Sequence, residues 1–289
     1  MKNLLKADFY RARKDKLLLI GLLVSIGLVL MQVLLIKGVV AASDAADADA
    51  EVVGSVLGTS GLALWFNGIS ILGNTTQYII PIFLTIFFVK EFNDRTIRNK
   101  LIIGYSRTQI FFSIIIVHAV LSVIIYFATS LVGLIFGCLL FGFGTTFNGS
   151  IFGLMIIGFV IEFFLSYVLI GFAIIFAINK QSIVLGIVVP IVVATVISIL
   201  GMVGMMLSNN FVKFLSFFNF YQASEIQNFT RLDMLTTVHI LYEYNDAGEV
   251  VDMLKLPLTP LGRFLIVTPV VIAIEFVIGF LRFKKIQFK

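Results

Sequence analysis

Apolar residues in this chain gather into six runs, 17–36, 69–89, 110–138, 151–178, 182–207 and 263–281. At about 1.5 Å of rise per residue, about 20 residues cross the roughly 30 Å hydrocarbon core of a bilayer, so each run predicts a spanning helix. Runs longer than this allow tilt or extension past the lipid. Pro81, Pro190 and Pro269 fall inside runs, where neighbouring helices can re-satisfy the freed backbone groups. The first run, Leu17 to Ile36, is longer than the roughly 7–15-residue apolar core of a signal peptide and reads as a retained anchor.

The polar segments between the runs differ in kind. In residues 1–16, Leu5, Phe9 and Ala12 recur at helical spacing while Lys2, Lys6 and Arg13 take another face. This predicts an amphipathic helix at the lipid boundary, its lysines toward anionic headgroups; a basic flank that merely fixes topology is the alternative. Asp15 stands where the first spanning helix needs an N-cap. Residues 37–68 open with Asp44, Asp47, Asp49 and Glu51, then turn apolar over Val52–Phe66, an expected interfacial helix. Residues 208–262 form the largest outer segment. Its apolar start, Phe211 to Tyr221, is too short to span, and Asn245-Asp246-Ala247-Gly248 reads as a turn between short strands. The sequons at Asn74, Asn148 and Asn228 read as chance.

Composition sharpens this picture. The 289 residues are 60% hydrophobic and 13% charged, against about 45–50% and 25% in soluble domains. Basic residues sit at the ends of the apolar runs, not in a patch for nucleic acid, so no nucleic-acid partner is expected. Residues 1–16, 90–108 and 282–289 together with Lys180 hold sixteen Lys and Arg, whereas the alternate segments hold Lys37, Lys213, Arg231, Lys255 and Arg263. That asymmetry places both termini in the cytoplasm and fits six spans. The one cysteine, Cys138, allows no intrachain disulfide, and His118 and His239 alone make a multi-histidine metal site implausible.

Between the second and third runs lies the most informative stretch, Lys90 to Arg107, K-E-F-N-D-R-T-I-R-N-K-L-I-I-G-Y-S-R. Phe92, Thr96, Ile97 and Leu101 give a helical apolar stripe, Arg95, Arg98 and Lys100 supply charge around it, and Gly104 ends it. The pattern suits docking into a soluble partner and equally suits a basic loop without one. Glu91 at the end of the second run, D-R-T-I-R-N-K-L (Asp94–Leu101) and G-Y-S-R (Gly104–Arg107) together resemble the membrane subunits of ABC-2-type transporters, the permease class that pairs with a separate ATPase. Members of that family often show Gly before the Thr and Lys shortly after the Ser-Arg pair; this chain has Arg95 and Ser113-Ile114 there. The motif covers fewer than 20 residues, the architectural likeness nearly the whole chain.

The resemblance implies a cytoplasmic coupling helix over 91–103, received in a groove of the ATPase. Its coupling residues would be Glu91, Phe92, Asp94, Arg95, Thr96, Ile97, Arg98 and Leu101. It further implies a second permease subunit, identical or related, with substrate moving between the two by alternating access in a bacterial plasma membrane. An amphipathic peptide, a lipid-like molecule or a hydrophobic drug suits such an apolar path. The sequence contains no G-x-x-x-x-G-K-[ST] phosphate loop, so the chain is expected to be no enzyme and to hold no cofactor, with ATP and magnesium bound by the partner ATPase.

Within the membrane, Glu162, Glu275, His118, Asn74 and Gln77 are candidates for the translocation path. A charge at mid-bilayer costs about 2.5–3.5 kcal/mol even on lenient scales, so each carboxyl must be neutral, paired or wet. Interhelical hydrogen bonding is the competing reading for each. Two other functions stay open: an ion-coupled carrier using Glu162 and Glu275, and a sensor or scaffold whose outer segment binds a ligand. The expected fold is an all-α membrane protein in one transmembrane domain over 1–289. It comprises the interfacial helix 1–16, six spans, the coupling helix and the outer segment 208–262.

Overall fold

The computed structural model describes residues 1–45, 60–67, 75–144, 147–180, 240–244, 250–255 and 258–286, with isolated positions between 184 and 217. Its helices are α1 (Lys2–Lys14), α2 (Lys16–Ala45), α3 (Gly61–Asn67), α4 (Thr75–Asn93), α5 (Thr96–Ile102), α6 (Arg107–Phe141), α7 (Gly149–Lys180) and α8 (Pro260–Lys285). Strands β1 (Ile240–Tyr244) and β2 (Val250–Lys255) pair antiparallel, Leu241 opposite Leu254 and Tyr242 opposite Met253. This ladder is the exception to the all-α class, and it flanks the turn read at Asn245–Gly248, which itself lies outside the described residues. The run at 182–207 lies outside them too, apart from isolated positions, as does most of 208–239.

Helices α2, α4, α6, α7 and α8 answer five of the six apolar runs. Among the described residues, Lys16–Ala42, Arg107–Phe141 and Pro260–Lys285 are long and apolar enough to cross a membrane. Most overrun their apolar runs because a helix stops where its terminal groups are capped, not where lipid ends. Asn148 accepts from the Ile151 N–H (2.9 Å) at the start of α7, and Thr259 accepts from Gly262 (3.1 Å) ahead of Pro260 in α8. Helix α2 continues nine residues past Ile36 into the alanine-rich stretch, as alanine's propensity favours.

Helix α6 is the central post, touching α1, α2, α3, α4, α5, α7 and α8. Apolar faces gain nothing by leaving lipid for one another, so close packing and interhelical hydrogen bonds must hold the bundle. Both are present. Phe87, Phe88, Ile110, Phe111, Ile114 and Phe283 are buried at 2% exposure or less in one cluster at the end of the bundle that carries α1 and α5.

Helix α3 departs from the interfacial helix expected over Val52–Phe66. Gly61 N donates to Gly142 O (2.8 Å), Leu64 packs at Gly133 and Gly137, and Trp65 reaches Phe127. The short helix therefore runs antiparallel along the C-terminal half of α6 instead of lying apart from the bundle. Glycine makes this possible, since a Cβ at Gly133 would stand 2.6 Å from the Leu64 carbonyl oxygen. The Trp65 indole N–H donates to Met155 O of α7 (3.1 Å), which gives its polar edge a partner inside an apolar setting.

Candidate coupling site

Local backbone chemistry folds Lys90–Arg107 into a corner between α4 and α6. Helix α4 overruns its apolar stretch and closes with Asp94 N on Lys90 O (2.9 Å) and Arg95 N on Phe92 O (3.1 Å). Arg95 then turns left-handed (φ 55°, ψ 17°) and opens α5. A side chain in that conformation costs about 1–2 kcal/mol, and this is the position where the resemblance anticipates glycine. Helix α5 ends in a Schellman motif: Gly104 (φ 102°) donates to Leu101 O (3.0 Å) and Tyr105 to Lys100 O (3.1 Å). Ser106 immediately caps α6 in a reciprocal box with Gln109 (3.2 and 3.1 Å). The expected helix over 91–103 is thus two pieces. Glu91 and Phe92 belong to the last turn of α4, because the Arg95 turn interrupts the ladder before α5.

Inside this corner lies a buried ionic junction drawn from four helices. Lys100 of α5 sits between Asp8 of α1 (2.7 Å) and Glu91 of α4 (3.0 Å). Arg11 of α1 pairs with the other Glu91 oxygen, and Ser113 of α6 donates to Asp8 (2.6 Å). Asp8 and Glu91 are each 3% exposed and Lys100 7%. Two acids meet two bases with their hydrogen bonds made, the condition under which buried charge is tolerated. Lys100 was expected among the outward charges; it turns inward beside Ile97 instead, since Asp8 and Glu91 offer it what water would. Helix α1 likewise buries Leu4, Asp8 and Ala12 against protein, one residue round from the expected Leu5–Phe9–Ala12 stripe, with Leu5 and Phe9 partly buried beside them.

The coupling residues accordingly divide by direction. Glu91 and Ile97 are buried, Phe92, Thr96 and Leu101 half-buried, and Asp94, Arg95 and Arg98 exposed. Phe92 stacks edge-on against Phe88 (5.0 Å) and Phe283 (6.3 Å). Two apolar residues missed by sequence reasoning complete the outward face: Ile102 and Ile103, 73% and 74% exposed. Asp8, Arg11 and Ser113 were missed as well. Their one sequence signal is an acid at Asp8 spaced by four from Leu4 and Ala12.

Asp15 bridges α1 and α2. It accepts from Leu17 N (2.9 Å), the cap expected of it, and from Lys90 (3.0 Å). Partial burial raises its pKa, but the Leu17 N–H, the Lys90 ammonium and Arg11 outweigh this and hold the carboxyl below its ordinary 3.8. At the opposite side of the corner, Arg107 donates to Lys284 O in the last turn of α8.

Of the candidates for the path, only His118 and Glu275 have side chains among the described residues. His118 is fully buried, its Nδ1 2.7 Å from Ile114 O and its Nε2 3.1 Å from Leu84 O, so it bridges α6 to α4. Glu275 on α8 is 5% exposed and presses on Gly171 of α7, where any Cβ would collide with it. Its Oε1 has no hydrogen-bond partner among the described residues. Beside it, Phe111, Ile115 and Tyr167 line a cavity of about 10 Å³, room for about one water. Glu162 and Gln77 lie on α7 and α4 with side chains outside the description, and Asn74 is outside it altogether. Arg263, counted in the sequence among the few basic residues of the alternate segments, is fully buried and donates to Ser216 O (3.1 Å), tying that position to α8.

No curated protein and no solved structure matches the chain. A family model described as ABC-2 family transporter protein matches residues 4–201, which takes in α1 through α7 and the whole ionic junction. The chain therefore belongs to the ABC-2 family of transporter proteins, as a membrane component and not the ATPase.

Proposed function

We propose that this chain is the permease subunit of an ATP-driven exporter, with six spans and cytoplasmic termini in a bacterial plasma membrane. Two copies, or this chain and a related one, face each other and bind ATPase subunits that carry ATP and magnesium. The observation that carries the reading is the buried junction, in which Lys100 of α5 is held by Asp8 of α1 and Glu91 of α4. A displacement of α5 by a soluble partner cannot be absorbed within its own loop. It must drag α1, α4 and the Ser113 end of α6 with it, or leave buried charge unpaired.

Asp94, Arg95 and Arg98 with Ile102 and Ile103 form the docking face, and Glu91, Phe92, Thr96, Ile97 and Leu101 transmit its motion. Alternating access then opens the interface between the two permeases to an amphipathic peptide, a lipid-like molecule or a hydrophobic drug. Glu162, Glu275, Asn74, Gln77 and His118 are the polar groups this reading assigns to the path. The test is a mild detergent pull-down followed by mass spectrometry. A stoichiometric P-loop ATPase is expected, at least tenfold depleted by Arg98→Glu while the melting temperature of the permease stays unchanged. Full retention of the ATPase by that variant, or no ATPase under several mild conditions, sinks the reading.

One observation favours a second reading, an ion-coupled carrier: the buried Oε1 of Glu275 has no hydrogen-bond partner among the described residues. Transport by ATPase-free proteoliposomes, driven by an ion gradient and abolished in Glu275→Gln, would establish it in place of the first.

A further inference from the structure

Where α1 turns into α2, a cavity of about 380 Å³ opens to the surface, lined by Arg11, Lys14, Asp15, Lys16, Lys90 and Asp94. Four cations thus face two carboxylates. Arg11 and Lys90 are already engaged by Glu91 and Asp15. Lys14 lies over the Tyr10 ring (4.7 Å), and Lys16 is exposed, with no ion pair among the described residues. Asp94 is then the one carboxylate set against Lys14 and Lys16, so the pocket keeps a surplus of one positive charge, carried by the two lysines that the junction does not use.

What adjoins the pocket decides its occupant. Leu19, Ile20 and Leu23 follow Lys16 by three, four and seven residues, so they share its face of α2. They are 61%, 49% and 58% exposed, an apolar wall running directly from the cationic mouth. A soluble anion has no use for that wall, whereas a phospholipid has both a phosphate for the lysines and an acyl chain for the leucines. We infer that the pocket between α1, α2 and the end of α4 is a binding site for one anionic phospholipid. Its phosphodiester is held by Lys14 and Lys16 and its chain lies along Leu19, Ile20 and Leu23. Basic recesses between helix ends at a membrane surface recognise headgroups in this manner. The pocket meets the ATPase-docking face at Asp94, but its lipid-binding groups, Lys14 and Lys16, lie outside that face, so the site stands whether or not that reading holds.

The experiment uses the full chain in neutral detergent, titrated with dioleoylphosphatidylglycerol, dioleoylphosphatidylcholine or soluble glycerol 3-phosphate, and reads bound lipid by native mass spectrometry. One phosphatidylglycerol should bind in preference to phosphatidylcholine, with glycerol 3-phosphate a poor competitor. At about 1 kcal/mol per lysine near a charged surface, Lys14→Gln with Lys16→Gln should weaken it about thirtyfold. Lys2→Gln with Lys6→Gln removes the same charge from elsewhere on α1 and should leave it bound. If both doubles lose the lipid equally, the attraction is diffuse and the site does not exist. If glycerol 3-phosphate competes as well as the lipid, the ligand is a free anion and the inference fails. Should the first double not fold, a photoactivatable phosphatidylglycerol on the unaltered protein decides: labelling at residues 14–23 supports the site, labelling spread along α1 overturns it.

Discussion

Two short helices are pinned against α6, one near each end, by opposite means. At the basic end α5 is held by charge: Lys100 between two carboxylates, with Ser113 completing Asp8. Toward the other end α3 is held by shape and neutral hydrogen bonds, its Leu64 carbonyl laid against Gly133, its Gly61 N–H on Gly142 O and the Trp65 indole on Met155 O. Charge pairing is strong only while every member is present, so it transmits displacement and fails abruptly. Contact over glycine is many small dispersion terms, so it yields by degrees. Under the proposed function, a corner that carries motion from a soluble partner suits the first kind of fastening, and a wedge that fills space suits the second.

The largest effect should come from breaking the charged corner. Lys100→Met leaves Asp8 and Glu91 facing one another with Arg11 alone, at a cost of about 3–5 kcal/mol. The variant should lose its monodisperse peak on size exclusion after mild heating. Adding Asp8→Asn removes the surplus charge and should recover part of the loss, a non-additivity expected of groups in one network. Strictly additive effects would mean that the junction is no network and transmits nothing as one.

Breaking the wedge should cost less and announce itself differently. Gly133→Leu forces α3 away from α6, and overpacking of this kind costs about 1–3 kcal/mol. Trp65 is the only tryptophan in the chain, so its emission reports α3 directly. The emission should shift in Gly133→Leu and stay in place in Lys100→Met. A shift in both variants would show that the two fastenings are mechanically continuous and that the contrast between them is false.

A smaller, stabilising change sharpens the corner. Arg95→Gly relieves a left-handed side chain, worth about 1 kcal/mol after the entropy of glycine is set against it. The melting temperature should rise by a few degrees. No rise would mean that Arg95 makes up its backbone cost through contacts of its side chain.

These contrasts also mark what the sequence could reveal. Hydropathy located α2, α4, α6, α7 and α8, because solvation by lipid is a property of each segment alone. The stop at Gly104 was legible for the same reason: a helix-ending glycine is written within a few residues. Lys100 was misread because its own helix cannot tell whether a lysine at that register meets water or a carboxylate. The carboxylate in question, Asp8, lies 92 positions away. The inward path of α3 was hidden likewise, since the room for it is made by Gly133 and Gly137 of another helix. Whatever depends on pairing between distant segments was the part that could not be read.

The weakest expected effect tests the edge of the charged corner by pH. The carboxyl of Asp15 is held below its ordinary 3.8 by Leu17 N–H, Lys90 and Arg11 against the opposing pull of burial. A carboxyl with a lowered folded pKa binds protons more readily when unfolded. Its contribution is therefore fully present above about pH 4 and disappears as pH falls through the folded value. Asp15→Asn should melt below the unaltered protein at pH 6, and the two curves should converge as pH drops toward 3. Taking the difference between them removes the pH effects that both proteins share. A gap that persisted undiminished at pH 3 would mean that Asp15 acts as a neutral cap on Leu17. The pair with Lys90 would then add nothing, and the electrostatic fastening of this end would stop at the buried junction.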